Sequence, residues 1–169
     1  MQYETRFGSM NDFEKGGVEI IDDDPKNYVF SNMFEVAKTS APYDRVAVAK
    51  NFEYVIDAAR AEGSSGWYAC AHDEFVLCMD GTVEVHLVKL DAPAVDPGSQ
   101  GAHALEGFPE GRKMGRIVLG LGHQALLPRG AAYRFHADKP SCLMFQTVEG
   151  PVTVQKWDEI CQTGDYVAN

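Results

Sequence analysis

Apolar and smaller or polar residues alternate with a period of two along most of the chain from Arg45 onward, which predicts β-strands. In the first run, for example, Val46 and Val48 alternate with alanines. The predicted strands cover residues 45–56, 67–72, 74–79, 82–90, 114–119, 124–127, 132–136, 142–148 and 152–157. Residues 58–61 also fit a helical turn, so this part of the pattern leaves two interpretations open.

Three segments fall outside this alternation. Residues 1–44 form a polar, irregular N-terminal arm, and residues 91–113 are rich in Pro and Gly, which predicts a long surface insertion. We expect a barrel over 45–158 with that insertion, followed by a C-terminal tail at 159–169.

The arm contains the acidic turn Asp22-Asp23-Asp24-Pro25 and then a short segment of ambiguous period, Tyr28 to Val36. Phe30, Met33 and Phe34 of this segment are large and apolar, and such residues are normally buried. We expect them to pack against the chain's own barrel or against a partner.

Composition restricts the function classes. A chain of 169 residues with 45% hydrophobic and 24% charged residues is expected to form one globular domain with a sizeable core. The net charge of −10 and the absence of any Lys/Arg cluster argue against nucleic acids and anionic membranes as partners. Residues 1–20 are polar and charged, which predicts neither a signal peptide nor a membrane span, so we expect a cytoplasmic protein.

The four cysteines are widely spaced and mostly lie in apolar runs. They are Cys70, Cys78, Cys142 and Cys161. No Cys-x2-Cys pair occurs, so we expect reduced core thiols rather than disulfides or a zinc site.

Two motifs lie between the predicted strands. The first runs from Glu74 to Gly81 and ends in the hairpin dipeptide Asp80-Gly81. In the second, Gly122, Pro128 and Gly130 give the pattern Gly-x5-Pro-x-Gly, which predicts a sharp chain reversal.

These spacings resemble the two signature motifs of the cupin family. The resemblance implies an all-β fold, the double-stranded β-helix or jelly-roll barrel. Cupins usually bind a metal through two histidines and a glutamate of the first motif and one histidine of the second. In this sequence, only Glu74 of that ligand set is present. Trp67 and Ala69, or Tyr68 and Cys70, stand where the histidine pair belongs, while Tyr133 replaces the last histidine and Ala137 the closing asparagine.

The run Gly66 to Phe75, together with the chain length, the arm and the missing ligands, resembles the small subunit of the two-component hydroquinone 1,2-dioxygenases. In that family a larger cupin subunit binds Fe(II) and cleaves hydroquinone with O2 to 4-hydroxymuconic semialdehyde. The resemblance implies a non-catalytic chain that pairs with the larger subunit in an α2β2 heterotetramer. It implies no metal, no cofactor and no catalytic residue in this chain.

Four residues are candidates for the barrel interior: Tyr68, Cys70, Glu74 and Tyr133. Alternation places Phe135 on the same inward face as Tyr133, so we expect an aromatic interior that is poor in nitrogen ligands. A buried Glu74 carboxylate needs hydrogen-bond donors or a proton, and Tyr68, Tyr133 or backbone amides are the candidate donors.

Two alternatives to a non-catalytic subunit remain open. The first is a stand-alone metal enzyme with an atypical site around Glu74 and His72, although a histidine beside Asp73 is more often a surface or hydrogen-bonded residue. The second is a cupin that binds small aromatic molecules. The sequence contains no nucleophile elbow and no phosphate-binding glycine loop that would favour another reaction.

Trp67 follows the flexible segment Gly63-Ser64-Ser65-Gly66. If that segment forms a rim of the barrel, the indole either fills the chain's own interior or reaches the substrate entrance of the partner. We therefore take Trp67 as a candidate for the interface or the substrate entrance.

Overall fold

The structure is a computed structural model that describes residues 7–24 and 30–160. The described elements are α1 (Met33–Thr39), β1 (Arg45–Lys50), β2 (Tyr54–Ser64), β3 (Trp67–Cys70), β4 (Glu74–Asp80), β5 (Val83–Leu90), β6 (Ala102–Leu105), β7 (Gly111–Leu119), β8 (Gln124–Leu127), β9 (Ala131–Val148), β10 (Thr153–Val154) and α2 (Trp157–Ile160). Neither described helix has the length and apolar character needed to cross a membrane.

The strands form two sheets that the long strand β9 joins. Its C-terminal half pairs with β2 and β4, which gives the order β10-β1-β2-β9-β4-β8. Its N-terminal half pairs with β5 and β3, which gives the order β7-β5-β9-β3-β6. The result is a nearly closed barrel, as the resemblance to cupins implied.

The main core lies between the two sheets. Because successive side chains of a strand point to opposite faces, each strand contributes every second residue to this interior. The largest fully buried apolar side chains there are Leu119, Leu127, Tyr133, Phe135, Leu143 and Phe145.

The predicted turns are present. Gly81 connects β4 to β5 with φ of 79°, and Gly122 and Gly130 of the second motif have φ of 78° and 77°. These left-handed values favour glycine, which explains why both motifs need this residue at fixed positions.

Several elements differ from the sequence prediction. Residues 58–61 lie in β2, so the helical interpretation of this stretch is wrong. The predicted strands 132–136 and 142–148 are one continuous strand, β9. Within the predicted insertion 91–113, residues 102–105 form β6, and β7 begins at Gly111. The Ala-His-Ala-Leu sequence of β6 has weak strand propensity. Its hydrogen-bonded pairing with β3 stabilises the extended conformation that the local sequence does not favour.

The arm packs on the barrel. Helix α1 is capped by Asn32, whose side chain accepts hydrogen bonds from the backbone of the first turn, and Val36 packs against Val46 and Ala58. A second cluster joins arm residues to the outer side of β4 and β9; it contains Met10, Phe34, Ala37, Met79 and Cys142. Pro25, Tyr28 and Val29 of the predicted arm segments lie outside the described residues, as do residues 161–169 of the predicted tail.

Cys70, Cys78 and Cys142 are buried free thiols, as predicted. Cys161 lies outside the described residues.

Candidate functional site

The candidate site lies inside the barrel, where β1, β4 and β9 each contribute inward-pointing side chains. Glu74 is the first residue of β4, and its side chain is fully buried. Tyr133 and Thr147 point inward from the two halves of β9, and Arg45 points inward from the start of β1. All four side chains are at most 5% exposed, so their polar groups must bind one another.

The carboxylate of Glu74 is the centre of this network. Arg45 Nη1 donates to Glu74 Oε1 over 3.1 Å, and Thr147 Oγ1 donates to the same oxygen over 2.6 Å. The hydroxyl of Tyr133 donates to Glu74 Oε2 and accepts from Arg45 Nη2 at 3.1 Å. Arg45 and Glu74 therefore form a buried ion pair that Tyr133 bridges.

Aromatic rings surround the guanidinium. Its central carbon lies 4.1 Å from the ring centroid of Phe145, 5.0 Å from that of Tyr68 and 5.8 Å from that of Tyr133. Desolvated cation–π contacts of this kind stabilise a buried charge. Together with the carboxylate they hold the cation in a place that excludes water.

Burial alone would raise the pKa of Glu74, but Arg45 and the hydrogen bonds from Thr147 and Tyr133 outweigh it and lower this pKa below its usual value. Burial also raises the pKa of Tyr133 well above that of a free tyrosine. The carboxylate is therefore ionised and the phenol neutral at physiological pH, which fits the phenol as the donor between them.

Asp57 of β2 points into the same interior and has no exposed surface. Neither of its carboxylate oxygens has a hydrogen-bond partner among the described residues. Burial, opposed by the charge of Arg45, raises the pKa of Asp57 to about 7. The interior thus contains one cation, one paired anion and a second acid that titrates near neutral pH.

The remaining predicted interior residues lie beside this network. The ring of Tyr68 is stacked at 6.0 Å from that of Tyr133 and is partly buried, but its hydroxyl makes no hydrogen bond to Glu74 in the structure. Cys70 Sγ lies 3.9 Å from the Tyr133 hydroxyl, and burial raises the pKa of this thiol. Of the donors proposed for Glu74, Tyr133 is the one that the structure brings to it.

The site does not fit a divalent metal ion. A side chain binds a metal ion through a free lone pair. The Glu74 carboxylate is already bound by the guanidinium of Arg45, and the guanidinium itself has only hydrogen-bond donors and no lone pair for a metal. Among residues 7–24 and 30–160, no three His, Cys, Asp or Glu side chains cluster in a way that could bind a metal. His72 points away from Glu74, because its Nε2 accepts from the backbone of Gly101 and its Nδ1 contacts the carbonyl of Asp73.

Trp67 lies on the outer face of β3 and is 8% exposed. It packs on Val88 and Ala132, and the ring of Phe108 from the insertion meets it edge-on at 5.2 Å. The guanidinium of Arg134 lies 5.1 Å from the indole. The indole is therefore outside the barrel interior, beneath an exposed phenylalanine.

An apolar groove of about 590 Å³ opens at the end of the barrel beside Cys70. Its walls come from the β8–β9 turn and from the first part of the insertion, and its charged lining residues are Lys89, Asp91 and Arg129.

Sequence reasoning missed Arg45, Asp57 and Thr147. The available signal was strand alternation, because Arg45 shares its face with Ala47, and Asp57 and Thr147 share theirs with interior apolar residues. A charged residue on the inward face of a predicted strand indicates a buried partner of opposite charge.

No protein-family model matches the sequence, and no curated protein matches it. Among solved structures, the chain is similar to hydroquinone 1,2-dioxygenase from Sphingomonas sp. TTNP3 with 4-hydroxybenzoate bound. The identity is 68% and the TM-score 0.92, over 95% of this chain and 98% of that chain. It is also similar to hydroquinone 1,2-dioxygenase PnpCD in complex with Cd²⁺ and 4-hydroxybenzonitrile, at 48% identity and a TM-score of 0.90, over 95% and 97% of the two chains.

A structure of PnpCD in complex with Fe³⁺ contains a chain that shares the fold alone. That likeness has 11% identity and a TM-score of 0.62, and it covers 82% of this chain but 38% of the other. Since the first two likenesses extend over nearly the whole length of each chain, this cupin barrel belongs to the hydroquinone 1,2-dioxygenase family.

Proposed function

We propose that this chain is the non-catalytic small subunit of a cytoplasmic, Fe(II)-dependent hydroquinone 1,2-dioxygenase. The complex converts hydroquinone and O2 to 4-hydroxymuconic semialdehyde. Iron belongs to a larger partner cupin subunit, with which this chain forms an α2β2 heterotetramer.

The observation that carries this proposal is the buried pair of Arg45 and Glu74. Glu74 is the residue that the cupin motif reserves for the metal, and here its carboxylate binds a guanidinium. The side chain of Arg45 supplies the positive charge that a metal supplies in other cupins. A second cation in the same place would be repelled by the guanidinium, and the Glu74 carboxylate is already bound by Arg45, Thr147 and Tyr133.

The comparisons support a partner of a different size. One hydroquinone 1,2-dioxygenase chain matches this chain from end to end, at 98% coverage of its own length. Another matches 82% of this chain with only 38% of its own length, so it is more than twice as long and contains a barrel of the same fold. A family with a short and a long barrel chain fits a division of labour between two subunits.

The test is to reconstitute the enzyme from separately purified chains. This chain, the larger barrel chain from the same source and their mixture are each supplied with Fe(II), and oxygen uptake is measured with hydroquinone. We expect uptake and formation of the semialdehyde in the mixture, and none with this chain alone. Ring cleavage by this chain alone would refute the non-catalytic role, and an inactive, unassociated mixture would refute the subunit assignment.

Trp67 is part of the same proposal, as a residue at the partner's substrate entrance. The indole lies directly under Phe108, which is 65% exposed, so both rings are near the surface. Trp67→Phe keeps most of the apolar packing and removes the indole. If the ring borders the entrance, the assembled variant has a changed KM for hydroquinone; unchanged kinetics per assembled complex would oppose this role.

The groove beside Cys70 favours one second candidate, the binding of small aromatic molecules by this chain. Its mostly apolar walls suit an aromatic ring, and Lys89, Arg129 and Asp91 offer polar groups that can bind a phenol hydroxyl. Calorimetric titration of the isolated chain with hydroquinone distinguishes the two functions, because a non-catalytic subunit requires no such binding. Saturable binding that Arg129→Ala abolishes would favour the second candidate.

A further inference from the structure

One outer face of the barrel is apolar and uncovered. It is the part of the first sheet formed by the start of β2 (Tyr54 and Ile56), the C-terminal half of β9, β4 and β8, and we call it the apolar face. The charged pair of Arg60 and Glu62 lies further along β2, outside this part. The outward side chains of the apolar face are Tyr54, Ile56, Phe75, Leu77, Gln124, Leu126, Met144 and Gln146. None of them is charged, although 24% of the whole chain is charged.

The outer face of the opposite sheet differs in composition. Its strands present five ionisable side chains, namely Glu84, His86, Arg116, Arg134 and His136, of which Glu84 pairs with both His86 and Arg116. Two sheets of the same barrel therefore have outer surfaces of different chemistry. Charged side chains of this kind are typical of a surface that faces water. Protein interfaces, in contrast, have few charged residues and are enriched in aromatic residues and Met.

The apolar face continues beyond the sheet along a groove. Three shallow depressions of about 240, 300 and 550 Å³ adjoin one another, because the first two share Gln146 and the last two share Lys50. They lead to Phe52 at the tip of the β1–β2 connection, whose side chain is fully exposed. With Tyr54, Phe75 and Leu126 at 55%, 51% and 45% exposure, four large apolar residues lie along one surface.

The chain itself covers only the neighbouring part of this sheet. Helix α1 packs over Val46 and Ala58, and the arm covers Cys142 and Met79. The described residues leave the rest of the same sheet face bare. A sheet face of this kind is stable in water only when something covers it.

We propose that the apolar face, with Phe52 as its anchor, is the docking surface for the larger barrel subunit. This assignment rests on the proposed function and adds which surface of the small chain does the binding. A fully exposed aromatic ring at a hairpin tip has the chemistry of an interface anchor that enters a pocket of the partner.

Charge favours the larger subunit over a second copy of this chain. Each copy carries a net charge of −10, so two copies face long-range repulsion on approach. The fitting partner has an apolar patch and does not share the strong negative charge of this chain. In an α2β2 assembly a small chain meets more than one neighbour, so contact through this face leaves Trp67 on the opposite sheet available to another subunit.

The experiment compares two charge substitutions at equally exposed strand positions. Leu126→Lys places a charge on the apolar face, where Leu126 is 45% exposed, and Val118→Lys places one on the opposite sheet, where Val118 is 50% exposed. Binding of each variant to the purified larger chain is measured by titration calorimetry, with the melting temperature of the isolated variant as the folding control.

We expect Leu126→Lys to raise Kd at least about tenfold and Val118→Lys to change it less than about twofold. Phe52→Ala, at a site with no packing to lose, should also raise Kd without lowering the melting temperature. Equal effects of the two lysine variants, or a larger effect of Val118→Lys, would overturn the assignment.

Two further outcomes would show that something other than the larger subunit covers the apolar face, and either would also overturn the assignment. A drop of more than about 5 °C in the melting temperature of Leu126→Lys, absent in Val118→Lys, would mean that a segment of this chain covers the face. Loss of self-association alone, seen by sedimentation, would mean that a second copy covers it. If the wild-type chain does not bind the larger chain at all, the proposed function itself fails, whatever the variants do.

Discussion

At the scale of single residues, Arg45 determines the character of the barrel interior. Its guanidinium binds Glu74 and Tyr133 and stacks on Phe145, so one side chain satisfies the carboxylate and fills the centre of the barrel. A buried ion pair is not in itself a strong source of stability, but the loss of one member leaves the other uncompensated. The pair therefore behaves as a unit.

Glu74→Gln should lower the free energy of unfolding by about 3–5 kcal/mol, because it leaves the buried guanidinium of Arg45 without its counter-charge. Urea denaturation measures this change. The matched control is Glu84→Gln, which breaks partly exposed pairs with His86 and Arg116 and should be much less destabilising, because water screens these charges. A cost below about 1 kcal/mol for Glu74→Gln would contradict the network described here.

Asp57 makes stability depend on pH. Its folded-state pKa of about 7 lies above the value near 3.9 of an unfolded chain, so the folded protein binds more protons between these pH values. Stability contributed by this group is fully present below about pH 4 and is lost as the pH rises to about 7, by roughly 4 kcal/mol in total.

Asp57→Asn should remove this decline, which denaturation curves at a series of pH values will show. Glu74 acts in the opposite direction, because its lowered pKa makes stability fall only below about pH 4.5. Parallel pH profiles of the wild type and Asp57→Asn between pH 4 and 7 would refute the assignment to Asp57.

Residue identity at the site was only partly predictable. The cupin motif located Glu74 and Tyr133 in the sequence, and both lie in the network. Arg45 was not predicted as the ion-pair partner of Glu74. A contact between residues 29 positions apart depends on how β1 and β4 are placed across the barrel, which the sequence does not show. Alternation could have placed Asp57 on the inward face of β2, but its lack of a hydrogen-bond partner is a property of packing that no sequence pattern shows.

At the scale of elements, each of the two motifs contains a turn in which a glycine adopts a positive φ. Gly81 adopts φ of 79°, and a β-carbon there would clash with the side chain of Ser141. Gly122 has nearly the same φ, 78°, but nothing lies within 4 Å of the position of its β-carbon. A substitution at Gly122 therefore tests backbone strain alone, whereas one at Gly81 tests backbone strain together with a steric clash.

Gly122→Ala should cost about 1–2 kcal/mol, the cost of a left-handed conformation for an L-residue. Gly81→Ala carries the same cost plus that of moving Ser141, whose hydroxyl accepts from the backbone of Thr82, and should be clearly more destabilising. Thermal denaturation of both variants measures the difference. Equal melting temperatures would show that the Ser141 contact does not constrain the hairpin.

Trp67 connects the insertion to the barrel, since it packs on Val88 and meets Phe108 and Leu105. Trp67→Ala should lower the free energy of unfolding of the isolated chain by about 3 kcal/mol or more. Phe108→Ala removes a mostly exposed ring and should cost less than about 1 kcal/mol. If Trp67→Ala is as stable as the wild type, the packing of the indole does not fix residues 91–113 to the barrel.

Alternation predicted most strands, because in this barrel one face of nearly every strand is apolar and buried. It failed where tertiary contacts override the local sequence. Residues 58–61, rich in alanine, are extended because Ala58 packs under α1 while Ala59 faces the interior. Strand β9 continues through Pro140 because both halves pair with neighbours on either side, a feature that no local window reveals.

At the scale of the whole molecule, the barrel combines a filled interior with two chemically different outer surfaces. A packed centre with an ion pair gives rigidity, while the apolar face and Phe52 offer a surface for binding. Both features suit a chain that supports another subunit. In the function proposed above, the guanidinium of Arg45 takes the place of a metal ion in this barrel.

The most direct test is the metal content of the isolated chain, measured by elemental analysis after expression in medium supplemented with iron, manganese and zinc. We expect far less than one equivalent of each metal, with the same low values for the Glu74→Gln variant. One tightly bound equivalent in the wild type that disappears in Glu74→Gln would mean that this barrel binds a metal ion through Glu74.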